Sequence, residues 1–232
     1  MVLERLNKRG AGGIVGVNIG ANKTSDDREG DYVHGVRAFH EVADYLTVNI
    51  SSPNTPGLRG MQSRKELGSL LDRLNETRQA LAGQTPMLLK IAPDLIDDEL
   101  ADICDICMTG AVDGLIISNT TLSRDGLRSK ERDQAGGLSG APLFERSTQV
   151  LAKACKLTNG NLPLIGVGGI ASARQALDKI TAGACLVQLY SAMVYQGPQL
   201  ANDINNDLVK LMEKHNFSTI ANAVGSNVDA WI

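Results

Sequence analysis

The sequence predicts an α/β protein, a (β/α)8 TIM barrel of which roughly six of the eight β/α units are present. Short apolar runs rich in Val, Ile and Leu alternate with longer amphipathic stretches along the whole chain. The apolar runs are nearly continuous, as in strands that are buried on both faces. Glycines and polar residues collect where these runs end. Such repeated alternation implies parallel strands joined by right-handed crossovers.

Length and composition limit the alternatives. The chain has 232 residues, is 43% hydrophobic and carries a net charge of −3, so we expect one domain over residues 1–232. Charges of both signs are spread along the chain and aromatic residues are 3% of it, so no nucleic-acid partner is expected. No apolar run reaches the roughly 18 residues of a membrane span, which predicts a cytoplasmic chain.

The elements follow one another in a simple order. The predicted strands are Ile14–Ile19, Tyr45–Ile50, Met87–Ile91, Gly114–Ser118, Leu162–Val167 and Cys185–Leu189. The predicted helices are Arg28–Ala43, Ser63–Ala82, Asp97–Gly110, Leu143–Leu157, Ser172–Ala182 and a last helix, Gln199–Glu213, that closes the chain. Ser172 is a predicted N-cap because it follows a glycine turn and precedes an amphipathic run.

Two folds compete for this pattern, the doubly wound sheet and the barrel. No G-x-G-x-x-G motif opens a helix near the start, which argues against a dinucleotide-binding sheet. Eight strands close a barrel of this kind, and only six strand-like runs are present. We therefore expect an open arc whose first and last strands cannot pair. Its edges should expose the apolar runs at residues 15–17 and 186–189.

Polar side chains mark the strand ends, where a barrel builds its active site. Asn18, Asn49 and Asn119 each lie at such an end. Asn is depleted in strands, and one such residue alone is more typical of a turn that ends a strand. Several carboxamides converging on one mouth instead favour binding, because each offers a donor beside an acceptor. That pairing matches flat imide rings such as those of flavin and orotate.

Lys90 and two glycine runs complete the pattern. Lys90 ends the apolar run that begins at Met87, so it either extends to the surface or places a cation beside a flavin pyrimidine edge. The runs Gly136–Gly140 and Gly168–Gly169 follow the fourth and fifth strands. Glycines let backbone N–H groups approach an anion, and barrels commonly bind phosphate near their last strands.

Ser52 is the candidate base, although on spacing alone a turn hydroxyl before Pro53 is the simpler interpretation. No Ser-His-Asp set accompanies it. Cys104 and Cys107 form a C-x-x-C inside a helix-like run, and a shared helical face favours buried packing over a redox or metal role.

The run Asn49–Arg59, NISSPNTPGLR, resembles the signature loop of the dihydroorotate dehydrogenases. Further resembling stretches occur in family order, at residues 16–23, 90–94, 118–121, 136–140, 165–169 and 186–190. The family's base is Ser in its quinone-using class (class 2) and Cys in its soluble class. Ser52 at that position makes the chain similar to the quinone class.

The resemblance implies FMN as cofactor and oxidation of (S)-dihydroorotate to orotate in pyrimidine (UMP) biosynthesis. Ser52 would take a proton from C5 while a hydride leaves C6 for flavin N5, with a relay through water or Thr120. Ubiquinone or menaquinone would reoxidise the flavin. The substrate residues would be Asn49, Asn54, Asn119 and Thr120. The FMN residues would be Asn18, Asn49, Lys90, Ser118, Ser139, Gly140, Gly168, Gly169, Tyr190 and Ser191.

The family's N-terminal third has no counterpart in this sequence. In the family that part carries the membrane-docking helices, the first two strands, an Ala-Gly-rich FMN contact and a substrate lysine. Membrane contact is therefore expected only through the missing part, by which full-length members lie peripherally on the inner membrane. Ser118 also stands where the family commonly has Thr.

Three alternatives remain open. One is another FMN barrel that reduces a pyrimidine, such as the flavin half of dihydropyrimidine dehydrogenase, which has Cys at the base position, or a dihydrouridine synthase. A second is a flavin-free, phosphate-binding isomerase or lyase, which would leave Lys90 and the Asn set unexplained. The third is a truncated, non-catalytic remnant.

Overall fold

A computed structural model describes residues 1–10, 12–81, 83 and 85–232. Within these ranges a single parallel sheet has the strands in chain order. They are β1 (Gly16–Ile19), β2 (Tyr45–Asn49), β3 (Met87–Ile91), β4 (Gly114–Ile117), β5 (Leu164–Val167) and β6 (Leu186–Gln188). Every strand pairs in parallel with the next one along the chain. The predicted partial barrel of six β/α units is confirmed.

β3 has its predicted bounds, and the other five strands are one or two residues shorter than predicted at one or both ends. β1 begins at Gly16 rather than Ile14, whose side chain is 82% exposed because it lies beyond the neighbouring strand. β5 begins at Leu164 rather than Leu162, since the intervening Pro163 has no N–H to give to the ladder. Pro163 contributes only its carbonyl, which accepts from Leu115 N at 2.9 Å.

Helices connect the strands and cover the outer face of the sheet. They are α1 (Val2–Asn7), α2 (Arg28–Phe39), α3 (Arg64–Gln79), α4 (Asp97–Ile106), α5 (Phe144–Leu157), α6 (Ala173–Thr181), α7 (Ser191–Gln196), α8 (Leu200–Lys214) and α9 (Ile220–Ala223). The predicted N-cap is confirmed, because Ser172 Oγ accepts from Gln175 N at 3.3 Å. α1, α7 and α9 were not predicted, because each is too short to show an amphipathic period.

Several predicted helix ends were wrong. α2 stops at Phe39 rather than Ala43, because the amides of Val42 and Ala43 turn back onto the Phe39 carbonyl. α4 passes at Cys107 into a π-helical turn that ends at Ala111, with Gly110 at a φ of +86°. The predicted end of α3 at Ala82 lies outside the described residues. α8 does not close the chain, since α9 and a 3-10 turn at Val228–Trp231 follow it.

The two faces of the sheet differ in what covers them. The outward side chains of β2 to β4, such as Val48, Leu89 and Ile117, are buried against the helices in the main hydrophobic core. The inward side chains form a smaller cluster around Leu88, Ile116 and Ile165. This alternation along continuous apolar strands gives the layered interior of a barrel.

The sheet is an open arc. In the described ranges β1 pairs only with β2, and β6 pairs only with β5. Leu186 at the far edge is 62% exposed, while Val15 and Val17 at the near edge are half-buried. The expectation of an exposed apolar edge is therefore confirmed most clearly for β6. Among the residues described, no helix is both long enough and apolar enough to cross a membrane.

Candidate active site

A cavity of about 530 Å³ opens at the carboxyl ends of β3 to β6. Parallel strands bring their ends to one rim, so residues far apart in sequence meet there. Most of the predicted site residues line this cavity: Lys90, Ser118, Asn119, Thr120, Ser139, Gly140, Gly168, Gly169, Tyr190 and Ser191. The remaining ones, Asn18, Asn49, Ser52 and Asn54, do not line it.

Asn49 nevertheless belongs to the same polar cluster. Asn119 Nδ2 donates to Asn49 Oδ1 at 3.2 Å and to Ser51 Oγ at 3.1 Å. Ser51 Oγ in turn donates to Asn49 Oδ1 at 2.9 Å. The end of β2 is fixed from behind by the buried Tyr32, whose hydroxyl donates to the Asn49 carbonyl at 2.8 Å. Two strand ends are thereby joined into one carboxamide pair.

The Asn49–Asn119 pair still has hydrogen-bonding capacity to offer. Asn119 Oδ1 accepts from Thr120 N at 2.8 Å, and within the described chain Asn49 Nδ2 has no protein acceptor. Both side chains are half-buried, so a ligand can reach them while bulk water is partly excluded. An amide donor left free beside a fixed amide network is suited to a ligand carbonyl.

Ser52 lies in the turn that follows β2. It is half-buried, and its Oγ accepts from Asn54 N at 3.3 Å, which leaves its own O–H free to donate elsewhere. Thr120 approaches the same turn from β4. A Cβ built on Gly137 would lie 1.8 Å from Thr120 Oγ1 and 3.0 Å from Pro53 Cγ. Gly137 thus lets the Thr120 hydroxyl and the 52–54 turn come close together.

Arg59 and Asp94 hold this turn in place, and they were not predicted as site residues. Arg59 donates to Ser51 O at 3.3 Å, to Asp94 Oδ2 at 2.7 Å and to Thr120 O at 2.9 Å. Asp94 also accepts from Leu122 N at 2.9 Å. One guanidinium therefore links the loops that follow β2, β3 and β4. No local pattern in the sequence sets these two residues apart from solvated loop residues.

Lys90 projects from β3 into the cavity, beside Asn49 of β2 and Ile116 of β4 in the sheet register. It is half-buried, and burial lowers the pKa of its ammonium. In the part of the chain that the structure describes, Lys90 Nζ has no hydrogen-bond or ion-pair partner. A desolvated cation without a counter-charge is costly in the ligand-free protein, so the site favours an anionic or electron-rich ligand.

Three glycines also line this cavity. Gly140, Gly168 and Gly169 have φ values of +81°, +116° and +73°, a backbone that other residues rarely adopt. A Cβ on Gly168 would lie 2.7 Å from Ser147 Oγ, and one on Gly169 would lie 2.8 Å from Phe144 N. The two turns therefore need glycine for both conformation and space. Such N–H-rich turns are typical phosphate sites.

Of the remaining predicted residues, Ser139 and Ser191 bond to each other, whereas the others are exposed. Ser191 Oγ donates to Ser139 Oγ at 2.9 Å, so the β4 and β6 loops meet beside Gly140. Tyr190 lines the cavity, but its side chain is 80% exposed. Asn18 is exposed on β1, at the near edge of the sheet and outside the cavity. Asn54 is also exposed, and its Oδ1 would lie 3.5 Å from a Cβ on Gly136.

A third residue missed from the sequence is Arg124, which organises the loop between β4 and Gly136. Its guanidinium donates to the carbonyls of Arg132 at 3.0 Å, Gln134 at 3.0 Å and Gly136 at 2.6 Å. Further bonds go to the carbonyls of Thr121 and Leu122. Because this loop leads from Thr120 to Gly137, Arg124 helps to define the rim of the site.

The C-x-x-C pair plays no part in this cavity. Cys104 and Cys107 are buried in the main core, as predicted, and burial raises the pKa of the Cys104 thiol to about 12. Thiols of this kind are inert at neutral pH. Over the described ranges, no group of three or more His, Cys, Asp and Glu side chains is arranged to hold a metal ion.

Fold and site together define a β/α-barrel protein with a polar cavity at the carboxyl ends of its strands. Residues 1–212 match the family described as Dihydroorotate dehydrogenase. The chain is 54% identical, over 99% of its length, to a protein of Agrobacterium fabrum named Dihydroorotate dehydrogenase (quinone). It is also 54% identical, over 94% of its length, to a protein of the same name from Rhizobium leguminosarum.

Comparison with solved structures gives the same family. The chain superposes with a TM-score of 0.92 on ligand-free DHODH from Eimeria tenella, at 35% identity, covering 97% of this chain and 70% of that one. The complex of the Eimeria protein with ferulenol gives a TM-score of 0.86 at 36% identity, covering 90% of this chain and 61% of that one. The chain belongs to the dihydroorotate dehydrogenase family. It spans 64% and 62% of the lengths of the Agrobacterium and Rhizobium relatives.

Proposed function

We propose that this chain provides the flavin site and most of the substrate site of a quinone-dependent dihydroorotate dehydrogenase, which oxidises dihydroorotate to orotate. The observation that carries the proposal is Lys90, a partly buried cation without a counter-charge in the described chain, beside the Asn49–Asn119 carboxamide pair. A planar imide ring that becomes anionic on reduction matches this combination of groups.

The residues fit FMN at both of its ends. Lys90 and Ser118 would face the ring, and Gly140, Gly168 and Gly169, with Ser139, Tyr190 and Ser191, would hold the phosphate end. We keep Asn49 in the same set because it lies beside Lys90 in the sheet register, and Asn18 because its strand adjoins that of Asn49. When bound, FMN would accept the hydride and pass electrons on to ubiquinone or menaquinone.

Asn49, Asn54, Asn119 and Thr120 would hold the dihydroorotate ring, and Ser52 would remove the proton from C5. An isolated hydroxyl is a weak base, so the proton must pass onward from Ser52 Oγ. The free O–H of Ser52 and the nearby Thr120 hydroxyl offer such a route, with water as a further carrier. Serine at this position is also what assigns the chain to the quinone class rather than to the soluble class. Contact with the inner membrane would lie in the part of the relatives that this chain does not span.

The purified chain tests the cofactor assignment directly. Its absorbance spectrum, alone and after addition of FMN, should show bound flavin that survives gel filtration, with weaker retention than in a protein of the relatives' full length. Lys65→Met, on an exposed helical surface, should retain flavin equally well. A chain that binds no flavin at all would contradict the proposal and would favour the non-catalytic or flavin-free alternatives.

A further inference from the structure

Lys179 is a buried lysine that the proposed chemistry does not use. It lies on α6, directly behind the Gly168–Gly169 turn, and its side chain is 0% exposed. An ammonium removed from water costs several kcal/mol unless an opposite charge compensates it. Such a residue requires an explanation that packing alone does not provide.

The neighbours of Lys179 are neutral. Its Nζ donates to Ser147 Oγ at 2.6 Å and to the Phe144 carbonyl at 3.4 Å, and it lies 5.1 Å from the centroid of the Phe144 ring. These contacts use two of the three N–H donors of the ammonium and place it over an aromatic ring, but they carry no negative charge. Burial lowers the pKa of Lys179 to about 7, and no charged group contributes to the change.

The charged residues on the elements around Lys179 are either paired with other residues or exposed. Asp178 on α6 is paired with Arg174 at 3.0 Å, and Arg146 and Lys153 on α5 are paired with Asp94 and Asp97. β5, β6 and α9 carry no ionisable side chain. The other charged residues on α5 and α8 are exposed: Glu145, Lys156, Asp203, Asp207, Lys210, Glu213 and Lys214. Among the described residues, Lys179 therefore has no carboxylate partner.

Ser147 connects Lys179 to the Gly168–Gly169 turn. Ser147 Oγ, which accepts from Lys179, is 3.5 Å from the Gly168 carbonyl oxygen. In a trans peptide the C=O and N–H point in opposite directions. The Gly169 N–H therefore faces away from Ser147, and the turn that carries it lines the cavity. The ammonium lies on the carbonyl side of this peptide, so the positive end of the peptide dipole points away from it.

We propose that Lys179 is a positioning residue that supplies the counter-charge for a dianionic phosphate monoester bound at the Gly168–Gly169 turn. The inference rests on the proposed function only for the identity of the ligand, the FMN phosphate. A phosphate dianion in front of the turn favours the charged form of Lys179. By reciprocity, a charged Lys179 strengthens phosphate binding by the same factor.

This coupling predicts a pH dependence of affinity. Above pH 7 a phosphate monoester is already largely dianionic, so its own titration adds little. If phosphate raises the pKa of Lys179 by one unit, FMN affinity should fall by about tenfold as the pH rises from below 7 to about 9. Riboflavin, which has the same ring and no phosphate, should show no such fall.

The test compares Kd values for FMN and for riboflavin between pH 6.5 and 9, in the full chain and in Lys179→Met. The wild-type chain should lose FMN affinity with rising pH, and the variant should bind FMN more weakly at pH 6.5 with little slope. Riboflavin affinity should differ by less than about twofold between the two proteins. Lys153→Met is the matched control, because its Nζ bonds Asp97 outside the cavity, and it should keep the wild-type slope.

A second measurement tests the role of Lys179 in the wild-type chain, so it holds even if Lys179→Met fails to fold. In wild-type chain labelled at lysine, NMR titration should show the pKa of Lys179 rising when inorganic phosphate is added. Inorganic phosphate also separates the two proposals, since a chain that binds it with the Lys179-dependent slope but binds no flavin would refute only the flavin assignment. Absence of phosphate binding, or an equal slope in Lys179→Met, would overturn the role of Lys179.

Discussion

Arg59 Nη1 lies 2.7 Å from Asp94 Oδ2, and this ion pair joins the turn after β2 to the turn after β3. Burial disfavours ionisation of Asp94, but hydrogen bonds from Thr121, Leu122 N and Arg59 outweigh it and lower the pKa of the carboxyl. The pair thus stays charged through the neutral range. It supports the turn that carries Ser52, because Arg59 also donates to the Ser51 carbonyl.

Replacing Arg59 by Lys should destabilise the chain by about 1–3 kcal/mol, because the ammonium cannot make the three bonds of the guanidinium fork. Urea unfolding at pH 7 measures the change. Arg64→Lys is the control, since its ion pair with Asp102 is largely exposed and its loss should leave stability nearly unchanged. Equal effects of the two substitutions would mean that Arg59 is only another surface arginine.

Ser52→Ala should leave flavin binding intact while lowering turnover of dihydroorotate by about 10²–10⁴-fold, the usual cost of losing a general base. Steady-state kinetics in a protein extended to the relatives' full length measure this effect. Ser129→Ala, at an exposed position, should behave as wild type. Near-normal turnover by the Ser52 variant would exclude it as the base.

Lys90→Met removes the cation from the cavity while keeping the length of the side chain. We expect FMN affinity to fall by about 10- to 100-fold, or the reduction potential of bound flavin to become lower, because the reduced ring loses its counter-charge. Fluorescence titration and a redox titration give the two quantities. If both are unchanged, Lys90 merely extends to the surface.

Gly137→Ala should disturb the substrate side of the site and spare the flavin side. A Cβ there would overlap Thr120 Oγ1, so Thr120 and the 52–54 turn must move apart. We expect the KM for dihydroorotate to rise by about tenfold or more, with flavin retained. Gly60→Ala is the matched control, because no atom lies within 4 Å of its added Cβ. A normal KM in Gly137→Ala would show that the approach of Thr120 to this turn is dispensable.

Lys179 should also make the stability of the ligand-free chain depend on pH. Its pKa is about 7 when folded and about 10.4 when unfolded, so between these values the unfolded chain binds more protons. The free energy of unfolding should therefore rise with pH above 7, by at most about 1.4 kcal/mol per unit. Thermal or urea unfolding of wild type against Lys179→Met isolates this contribution, because other groups titrate equally in both. Lys156→Met should retain the wild-type slope, and a wild-type chain without any excess slope would contradict burial of the charge.

The architecture could be predicted because it follows from periodicities that a sequence displays directly. The buried strands Met87–Ile91 and Gly114–Ile117 were placed to within a residue, since continuous apolar runs have few other uses. Edge strands were placed less well. Within the described residues β1 and β6 each have one neighbour, so the ladder ends before the apolar pattern does.

The site could be predicted only in part. Asn49, Lys90 and Asn119 were visible because polar residues are out of place at the ends of apolar strands. Arg59, Asp94, Arg124 and Lys179 were not visible, because charged residues in loops and helices are normally solvated. Only the tertiary structure shows that Arg59 joins three loops and that Lys179 is enclosed. No local pattern distinguishes them from surface residues.

The strictly sequential pairing of the strands has a consequence for how the chain folds. Among the described strands each pairs only with its neighbours in sequence, so the sheet can form stepwise, although every pair must first close the helical crossover between its strands. The most deeply buried strands, β2 to β4, are the natural nucleus, and growth proceeds from them in both directions. Amide exchange should therefore be slowest at Val48, Leu89 and Leu115 and should quicken step by step towards β1 and β6. The Gly168–Gly169 turn after β5 then belongs to a late-folding part of the sheet, and a bound anion would slow exchange there more than in the nucleus.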